Sequence, residues 1–287
     1  MASKDLIIGG CTNYGINQLK PWVLSINEVT KDENVDKVMC VGAASKETRD
    51  WLLEQGFTLV DMPNMPGVPV HVLRFISIYH YLKTHYSRYR YVVTTDVKDI
   101  FFQYSPFQWL VNNLGSSKLV AGSESMRYKD EPWGNENLMQ TYGGYVYDDF
   151  KNNKIYNVGT IGGDAEYVKD LVFNIFTNAV NRPIPIVDQA VYNVLINTQP
   201  YFDVMKFAEQ DDAWACQAGT TVDPSKIEQF RPFLTESEPQ FDNGVVWTSK
   251  RDMFCIVHQY DRVPEWKKFV EQKYGQQDES QYFTYRV

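Results

Sequence analysis

The first half of the chain alternates short apolar runs with longer segments in which apolar residues recur at helical spacing. Short apolar runs favour strands, and a period near 3.6 residues favours amphipathic helices. The pattern predicts strand 6–10, helix 18–29, strand 37–41, helix 46–55, strand 57–60, helix 70–85 and a strand that ends at Asp96. This order predicts an α/β fold with a Rossmann-like, mainly parallel sheet covered by helices on both faces. Pro21 fits its helix only if it falls in the first turn, where no backbone N–H is needed.

The second half is less regular. It predicts strand 118–121, helix 134–141, strand 155–163, a helix capped by Asp164 that runs to about 179, helix 188–196, loop-rich 203–244, strand 254–257 and helix 264–274. Because no repeat or linker interrupts the chain, we expect one domain over residues 1–275. The regular half covers about 1–115 and the less regular half about 116–260, with a polar tail at 276–287.

Composition narrows the possible partners. Of 287 residues, 44% are hydrophobic and 22% are charged, which is typical of a soluble globular protein. The net charge of −8 argues against a nucleic acid as the partner, because nucleic-acid-binding proteins usually carry a basic face. A small phosphorylated ligand stays compatible with this charge, since a bound metal ion can neutralise a phosphate locally.

The cysteines and the apolar runs predict the compartment. The four cysteines are far apart and form no C-x-x-C pair, so we interpret them as reduced, mostly buried thiols: Cys11, Cys40, Cys216 and Cys255. No signal-peptide pattern and no apolar run near 18 residues is present, so we expect no transmembrane segment. The simplest expectation is a cytoplasmic protein; the alternative is a soluble piece of an anchored enzyme.

The segment 91–102 is the most informative stretch, because a buried strand ends there in Asp96 and Asp99. In an open α/β sheet, ligands bind outside the carboxyl ends of the strands. Carboxylates at that edge suit Mg²⁺ or Mn²⁺. Aspartates at a strand end also serve as turn or cap residues. The local sequence alone leaves both interpretations open.

Two further residues occupy comparable positions. His258 directly follows the predicted strand 254–257, and an imidazole beside two carboxylates is a common ligand set for Mn²⁺. Asp188 begins a predicted helix, where an N-cap is the simpler interpretation and a contact with a bound sugar is the alternative. The other histidines fall on helix 70–85 and are interpreted as surface or core residues. The loop 9–15 is neither G-x-G-x-x-G nor a P-loop, although a nucleotide base could lie against it.

Taken together, these pieces resemble the GT-A family of nucleotide-sugar glycosyltransferases over about residues 5–275. The resemblance implies a nucleotide and metal half at about 1–115 and an acceptor half at about 116–260. Four patches carry the resemblance: TTDVKDIFFQ at 94–103 with PF at 106–107, YNVGTIGG at 156–163, DQ at 188–189 with Asn193, and VHQY at 257–260 with WK at 266–267. The usual D-x-D motif places its aspartates two residues apart, and here Lys98 stands where the second aspartate would be. Asp96 is therefore the better-supported ligand, while Asp99 either coordinates the metal or holds the loop.

The resemblance implies a hexosyl- or pentosyltransferase that uses a nucleoside diphosphate sugar, with UDP favoured, and a glycan or other glycoconjugate acceptor. It implies Mn²⁺ or Mg²⁺ held by Asp96, Asp99 and His258, and it places Asp188 and Gln189 beside the reacting carbon, with retention slightly favoured. Asp96 would also take part in donor binding, and the other residues implied for the donor are Cys11, Thr12, Asn13, Arg74, Asn157, Gly159, Arg262 and Lys267. For Arg74, a solvated charge on its helix is the equally good alternative.

The acceptor contacts are the least constrained part of this prediction. The residues considered for them are Glu124, Trp133, Asn135 and Asn157. Three other functions remain open at this stage: a sugar nucleotidyltransferase, a metal-dependent phosphohydrolase and a non-catalytic carbohydrate-binding protein.

Overall fold

The computed structural model describes residues 4–182 and 184–275. Its N-terminal part alternates strands and helices in the predicted order. The elements are β1 (Lys4–Cys11), α1 (Ile16–Val29), β2 (Val35–Val41), α2 (Lys46–Glu54), β3 (Thr58–Asp61), α3 (Val70–His85) and β4 (Tyr89–Thr95). One local prediction was wrong: α1 begins at Ile16, so Pro21 lies in the second turn, where it forgoes a backbone hydrogen bond and is buried.

The second half mixes long elements with very short ones, which are separated by loops and single-turn helices. They are β5 (Ile100–Phe102), α4 (Pro106–Asn113), β6 (Leu119–Arg127), α5 (Pro132–Phe150), β7 (Lys154–Asp164), α6 (Ala165–Ala179), α7 (Asp188–Ile196), β8 (Met205–Ala208), β9 (Ala215–Gln217), α8 (Ala218–Thr221), α9 (Ile227–Phe230), β10 (Gln240–Asp242), β11 (Val245–Trp247), β12 (Ile256–His258) and α10 (Pro264–Tyr274). Helix α5 is longer than the predicted 134–141 and is interrupted at Gly143, whose φ of 78° suits glycine. The predicted tail at 276–287 lies outside the described residues.

The central sheet has seven strands in the order β3-β2-β1-β4-β7-β6-β8. Strand β7 runs antiparallel to both of its neighbours, whereas the other pairs are parallel, so the prediction of a mainly parallel sheet is confirmed. The chain adds β2 and β3 on one side of β1 and then places β4 on the other side. This reversal creates a crevice between the carboxyl ends of β1 and β4, where open α/β sheets bind their ligands.

Apolar side chains cover both faces of this sheet, as predicted. Along β1, Leu6 and Ile8 belong to a core cluster with α3, α6 and α7, whereas Ile7 belongs to a second cluster with α1, α2 and α4. Successive side chains of a strand point to opposite faces, so each cluster lies on its own side of the sheet. Within the described residues, we find no helix that is long and apolar enough to cross a membrane.

A second, three-stranded sheet in the order β5-β12-β9 lies beside the crevice. Its register pairs His258 with Ile100 on β5 and with Gln217 on β9. Because Ile100 directly follows Asp99, this pairing brings the last residue of β12 next to the carboxylates after β4. The small sheet therefore carries the late histidine to the edge of the main sheet.

Candidate functional site

The carboxyl ends of β1 and β4 open into a cleft of about 630 Å³. Most of the site residues predicted from the sequence line this cleft: Arg74, Asp96, Asp99, Glu124, Trp133, Asn157, Asp188, Gln189, His258 and Arg262. They come from both halves of the chain, which meet here because β4 pairs with β7 and β5 pairs with β12.

Asp96, Asp99 and His258 form a compact cluster on one side of the cleft. The Nε2 atom of His258 lies 3.5 Å from Oδ2 of Asp96 and 3.5 Å from Oδ1 of Asp99. One ligand atom from each residue lies within 4.8 Å of the other two. Two carboxylates and one imidazole suit a divalent cation, and the imidazole favours Mn²⁺ over Mg²⁺. The residues present therefore fit the metal ion that the sequence resemblance implies.

Gln217 holds the imidazole in the orientation that a metal ligand needs. The Nδ1 atom of His258 lies 2.7 Å from Oε1 of Gln217, and Nε2 of Gln217 lies 3.1 Å from Oγ1 of Thr160. The amide oxygen accepts the Nδ1 proton, which leaves the lone pair of Nε2 directed at the two carboxylates. No sequence pattern pointed to Gln217, because its role depends on the pairing of β9 with β12.

The absence of a side chain at Gly159 makes room for the Asp96 carboxylate. A Cβ atom at this position would lie 2.5 Å from Oδ2 of Asp96, and the Asp96 N–H donates to the Gly159 carbonyl at 3.0 Å. Burial would raise the pKa of Asp99, but the neighbouring His258, a backbone hydrogen bond and Arg262 together outweigh it and hold that pKa below its ordinary value. Lys98, at the second position of the usual motif, is exposed.

Arg74 lies inside the cleft rather than on a solvated helix face, so that alternative was wrong. It is 9% exposed, and its guanidinium contacts the carboxylate of Asp96. The same group donates to Oδ2 of Asp188 at 3.3 Å. Its Nε atom is buried and has no hydrogen-bond partner among the described residues. Arg74 thus joins the metal cluster to the start of α7.

Asp188 is not an N-cap, contrary to the simpler interpretation. Helix α7 begins at Asp188 itself, its N-cap is Val187, and no side chain of the described residues caps its first turn. The carboxylate, 4% exposed as a residue, is paired with Arg74 instead. This pairing directs the charge of Asp188 into the cleft.

A network of uncharged donors and one carboxylate forms another part of the cleft lining. Gln189 accepts from the Val158 N–H at 2.9 Å and donates to Oε1 of Glu124 at 2.8 Å. Asn157 donates to the same oxygen at 2.7 Å and accepts from the Gly159 N–H at 2.7 Å. Burial raises the pKa of Glu124, while the bonds from Asn157 and Gln189 act against that rise.

The residues predicted for the nucleoside, which lie at the carboxyl end of β1, do not line the large cleft. Thr12 lines a separate cavity of about 350 Å³ that Met62, Met65 and Leu73 also line. Cys11 is buried beneath it, which raises the pKa of its thiol to about 12. Asn13 is exposed, and its N–H donates to the Ala43 carbonyl at 2.6 Å. Neither Cys11 nor Asn13 lines the large cleft or this cavity.

Three other predicted positions divide between the cleft and the surface. Arg262 lines the cleft with a side chain that is 51% exposed. Lys267 lies outside the cleft lining and pairs with Glu271 at 3.6 Å along α10. Asn135 also lies outside the lining. By contrast, His71 does line the cleft, which the interpretation of the helix histidines as surface or core residues missed.

Comparison with known proteins supports the fold. No protein-family model matches the chain. No curated protein matches its sequence. Among solved structures, WbbM, a bifunctional glycosyltransferase, aligns over 94% of this chain with a TM-score of 0.57 and 12% identity, and this chain spans 50% of its length. The galactosyltransferase LgtC, solved with donor and acceptor sugar analogues, aligns over 93% of this chain and 95% of its own, with a TM-score of 0.53 and 12% identity. At these identities the likeness concerns the fold, and the predicted GT-A fold is confirmed.

Proposed function

We propose that this protein is a metal-dependent glycosyltransferase. It moves a sugar from a nucleoside diphosphate sugar, with UDP-sugars favoured, to a hydroxyl group of a glycan or glycoconjugate. The observation that carries the proposal is the cluster of Asp96, Asp99 and His258 in the crevice between β1 and β4. The shared fold with two glycosyltransferases, one of them solved with donor and acceptor analogues, supports it.

The cluster would hold Mn²⁺ or Mg²⁺, which neutralises the charge that develops on a leaving diphosphate. Arg262 adds a second, half-exposed positive charge on the same side of the cleft. Its planar guanidinium can bind two phosphate oxygens at once. The cavity lined by Thr12 is adjacent along β1 and would receive the base. We therefore assign the β1 and β4 side of the cleft to the donor.

Asp188 would lie closest to the reacting carbon of the sugar. Its carboxylate is held by Arg74, and both ends of the Gln189 amide are already hydrogen-bonded to Val158 and Glu124. A carboxylate fixed by a guanidinium is better suited to stabilising positive charge on the sugar ring than to moving towards it. This arrangement favours retention by attack of the acceptor on the face from which the diphosphate departs.

Thermal unfolding with UDP or GDP, each with and without Mn²⁺, tests this proposal. A ligand that binds only the folded state at a hundred times its Kd stabilises that state by about 2.7 kcal/mol. We expect stabilisation by UDP that depends on Mn²⁺ and a smaller effect of GDP. If neither nucleotide stabilises the metal-loaded protein, the proposal fails. If UDP does stabilise the protein, slow hydrolysis of a panel of nucleotide sugars would identify the donor. NMR of the released sugar would reveal the anomeric configuration of that sugar.

The cellular location belongs to the same proposal. All four cysteines are buried and unpaired within the structure. Reduced, buried thiols are typical of a reducing compartment, which supports a cytoplasmic protein.

A further inference from the structure

Trp133 is exposed in a protein that mostly buries its large indole rings. It is 50% exposed and lines the cleft. Four other tryptophans are at most 3% exposed: Trp22, Trp109, Trp214 and Trp266. Ile186, which is 44% exposed, lines the same cleft. The cleft therefore has an apolar surface next to its polar floor.

The backbone that carries Trp133 is held firmly. Trp133 is the second residue of α5, whose N-cap is Glu131. The Glu131 carboxylate accepts from the N–H groups of Trp133 at 3.4 Å and Gly134 at 2.5 Å. Asn137, one turn further along, donates to the Ile186 carbonyl and so ties α5 to the segment before α7. These bonds fix the point from which the indole extends into the cleft before any ligand arrives.

Two glutamates line the cleft near the start of α5. They are Glu124 and Glu131, and burial already raises the pKa of Glu124. Among the described residues, the cleft lining contains one lysine, Lys226, which is exposed and lies 5.9 Å from the centre of the Phe230 ring. An anionic group placed among the glutamates would meet like charge in a partly dehydrated site. Hydroxyl groups, by contrast, can donate to these carboxylates.

Resting on the proposed function, we propose that Trp133 is the platform for the acceptor, which is an uncharged sugar. The ring of the acceptor sugar would lie with its C–H face against the indole and its hydroxyl edge towards Glu124. A pyranose has both an apolar face and a polar rim, and this side of the cleft provides an aromatic plane beside hydrogen-bond acceptors. The acceptor hydroxyl would then point towards Asp188 and Gln189. Sugars that carry a phosphate or a carboxylate would be excluded by the two glutamates.

Saturation-transfer NMR on the full chain, loaded with UDP and the diamagnetic ion Mg²⁺, tests the inference. The probes are the neutral sugars lactose, maltose, cellobiose and methyl β-glucoside, with methyl β-glucuronide and glucose 6-phosphate as their charged counterparts. We expect at least one neutral sugar to bind, with the strongest transfer to the ring protons of one face. The two charged sugars should bind at least about tenfold more weakly, because a like-charge contact costs more than about 1.4 kcal/mol.

Two variants of Trp133 and one matched control separate stacking from general damage. Trp133→Ala should weaken binding of the neutral sugar roughly tenfold, whereas Trp133→Phe, which keeps a ring face, should retain most of it. Tyr145→Ala removes a 90% exposed aromatic ring from the same helix outside the cleft and should change nothing. UDP and Mn²⁺ binding, measured by calorimetry, should be the same in the parent protein and the three variants.

The outcomes distinguish this inference from the proposed function. If UDP and Mn²⁺ bind normally but no neutral sugar binds, or Trp133→Ala binds it as well as the parent protein, the inference is wrong and the transferase proposal stands. Tighter binding of a charged sugar than of its neutral counterpart also overturns the inference. If UDP does not bind in the presence of Mn²⁺, the proposed function itself has failed.

Discussion

The two sides of the cleft are built in different ways. On the side proposed for the donor, Asp96 directly follows β4 and Asp99 directly precedes β5. Arg74 forms an ion pair with Asp96, and Nε2 of His258 lies 3.5 Å from both carboxylates. On the acceptor side, residues of β6, β7 and α7 are linked mainly by hydrogen bonds that involve uncharged amides. Charge–charge contacts hold the first side together, whereas the second is held by hydrogen bonds from amides to a glutamate carboxylate and to backbone groups.

This difference predicts how each side responds to substitution. A buried charge that loses its partner retains its full desolvation cost, so single changes on the donor side should have large effects. A hydrogen bond between neutral groups contributes only about 0.5–1.5 kcal/mol to the free energy of unfolding. In the network proposed for the acceptor side, several hydrogen bonds contribute, so the loss of one leaves the others in place. Substitutions there should be milder and more dependent on conditions.

The largest effect is expected for Asp96→Asn. The change removes the charge of the best-placed metal ligand but keeps the shape of the side chain. Transfer or donor hydrolysis should fall on the order of a thousandfold, which corresponds to about 4 kcal/mol of transition-state stabilisation. Mn²⁺ binding, followed by calorimetry, should weaken in parallel, and circular dichroism should show an intact fold.

Asp61→Asn is the matched control for this change. Asp61 ends β3 on the same side of the sheet, but it is exposed and pairs with Arg49 at 2.8 Å. Its substitution should leave activity unchanged. Retained activity in Asp96→Asn would show that the metal site lies elsewhere.

The next largest effect is expected for Arg74→Met, and it concerns stability. Without the guanidinium, the buried Asp188 loses its partner and Asp96 loses one of its contacts. The free energy of unfolding in urea should fall by about 3 kcal/mol. Arg231→Met removes the exposed partner of Glu238 and should change stability little. Equal losses in the two variants would contradict a structural role for the buried ion pair.

A smaller effect, on nucleotide binding, distinguishes Arg262 from Lys267, the two cations that the sequence predicts for the diphosphate. Arg262 lines the cleft, whereas Lys267 faces Glu271 on α10. Arg262→Ala should weaken binding of UDP with Mn²⁺ about tenfold, the loss expected for a charge-assisted hydrogen bond. Lys267→Ala should leave the Kd unchanged in the same titration. The reverse result would place the diphosphate next to α10.

The side proposed for the donor was predictable only in part. The cluster of Asp96, Asp99 and His258 coincides with local sequence signals, whereas Cys11, Asn13 and Lys267 lie outside the cleft lining. The end of a strand can be located from an apolar run, and polar residues directly after it gather at one edge of a parallel sheet. Asp96 follows this logic, whereas His258 ends β12 in the second sheet and reaches the same edge through the pairing of β12 with β5. The alternation of elements likewise predicted the α/β fold, although no local pattern shows that β7 runs antiparallel to its neighbours.

The supporting contacts could not be predicted, because they arise from strand register and helix packing. Gln217 meets His258 only because β9 and β12 pair at those positions. Arg74 could be placed on its helix from the sequence, but whether that face is buried depends on how α3 packs against the sheet. The same holds for His71, which looked like an ordinary helix residue and lines the cleft.

The smallest expected effect tests the acceptor side through Glu124→Gln. Burial raises the pKa of Glu124 above its ordinary value of 4.5, so the folded protein binds this proton more tightly than the unfolded chain does. Ionisation of Glu124 therefore costs stability, and the cost grows as the pH rises from about 4.5 through the folded-state pKa. The amide that replaces the carboxyl group in the Glu124→Gln variant does not ionise, yet its oxygen can still accept from Gln189 and Asn157.

Urea unfolding of both proteins in metal-free buffer at pH 4 and pH 8 measures this difference. Relative to the parent protein, the Glu124→Gln variant should gain stability as the pH rises. If the difference between the two proteins is independent of pH, folding does not shift the pKa of Glu124 and the prediction is wrong. If the variant instead becomes less stable relative to the parent protein at pH 8, the Glu124 carboxylate is stabilised as an anion by its amide neighbours. The acceptor side would then be an ionic site like the donor side, and the contrast between the two would disappear.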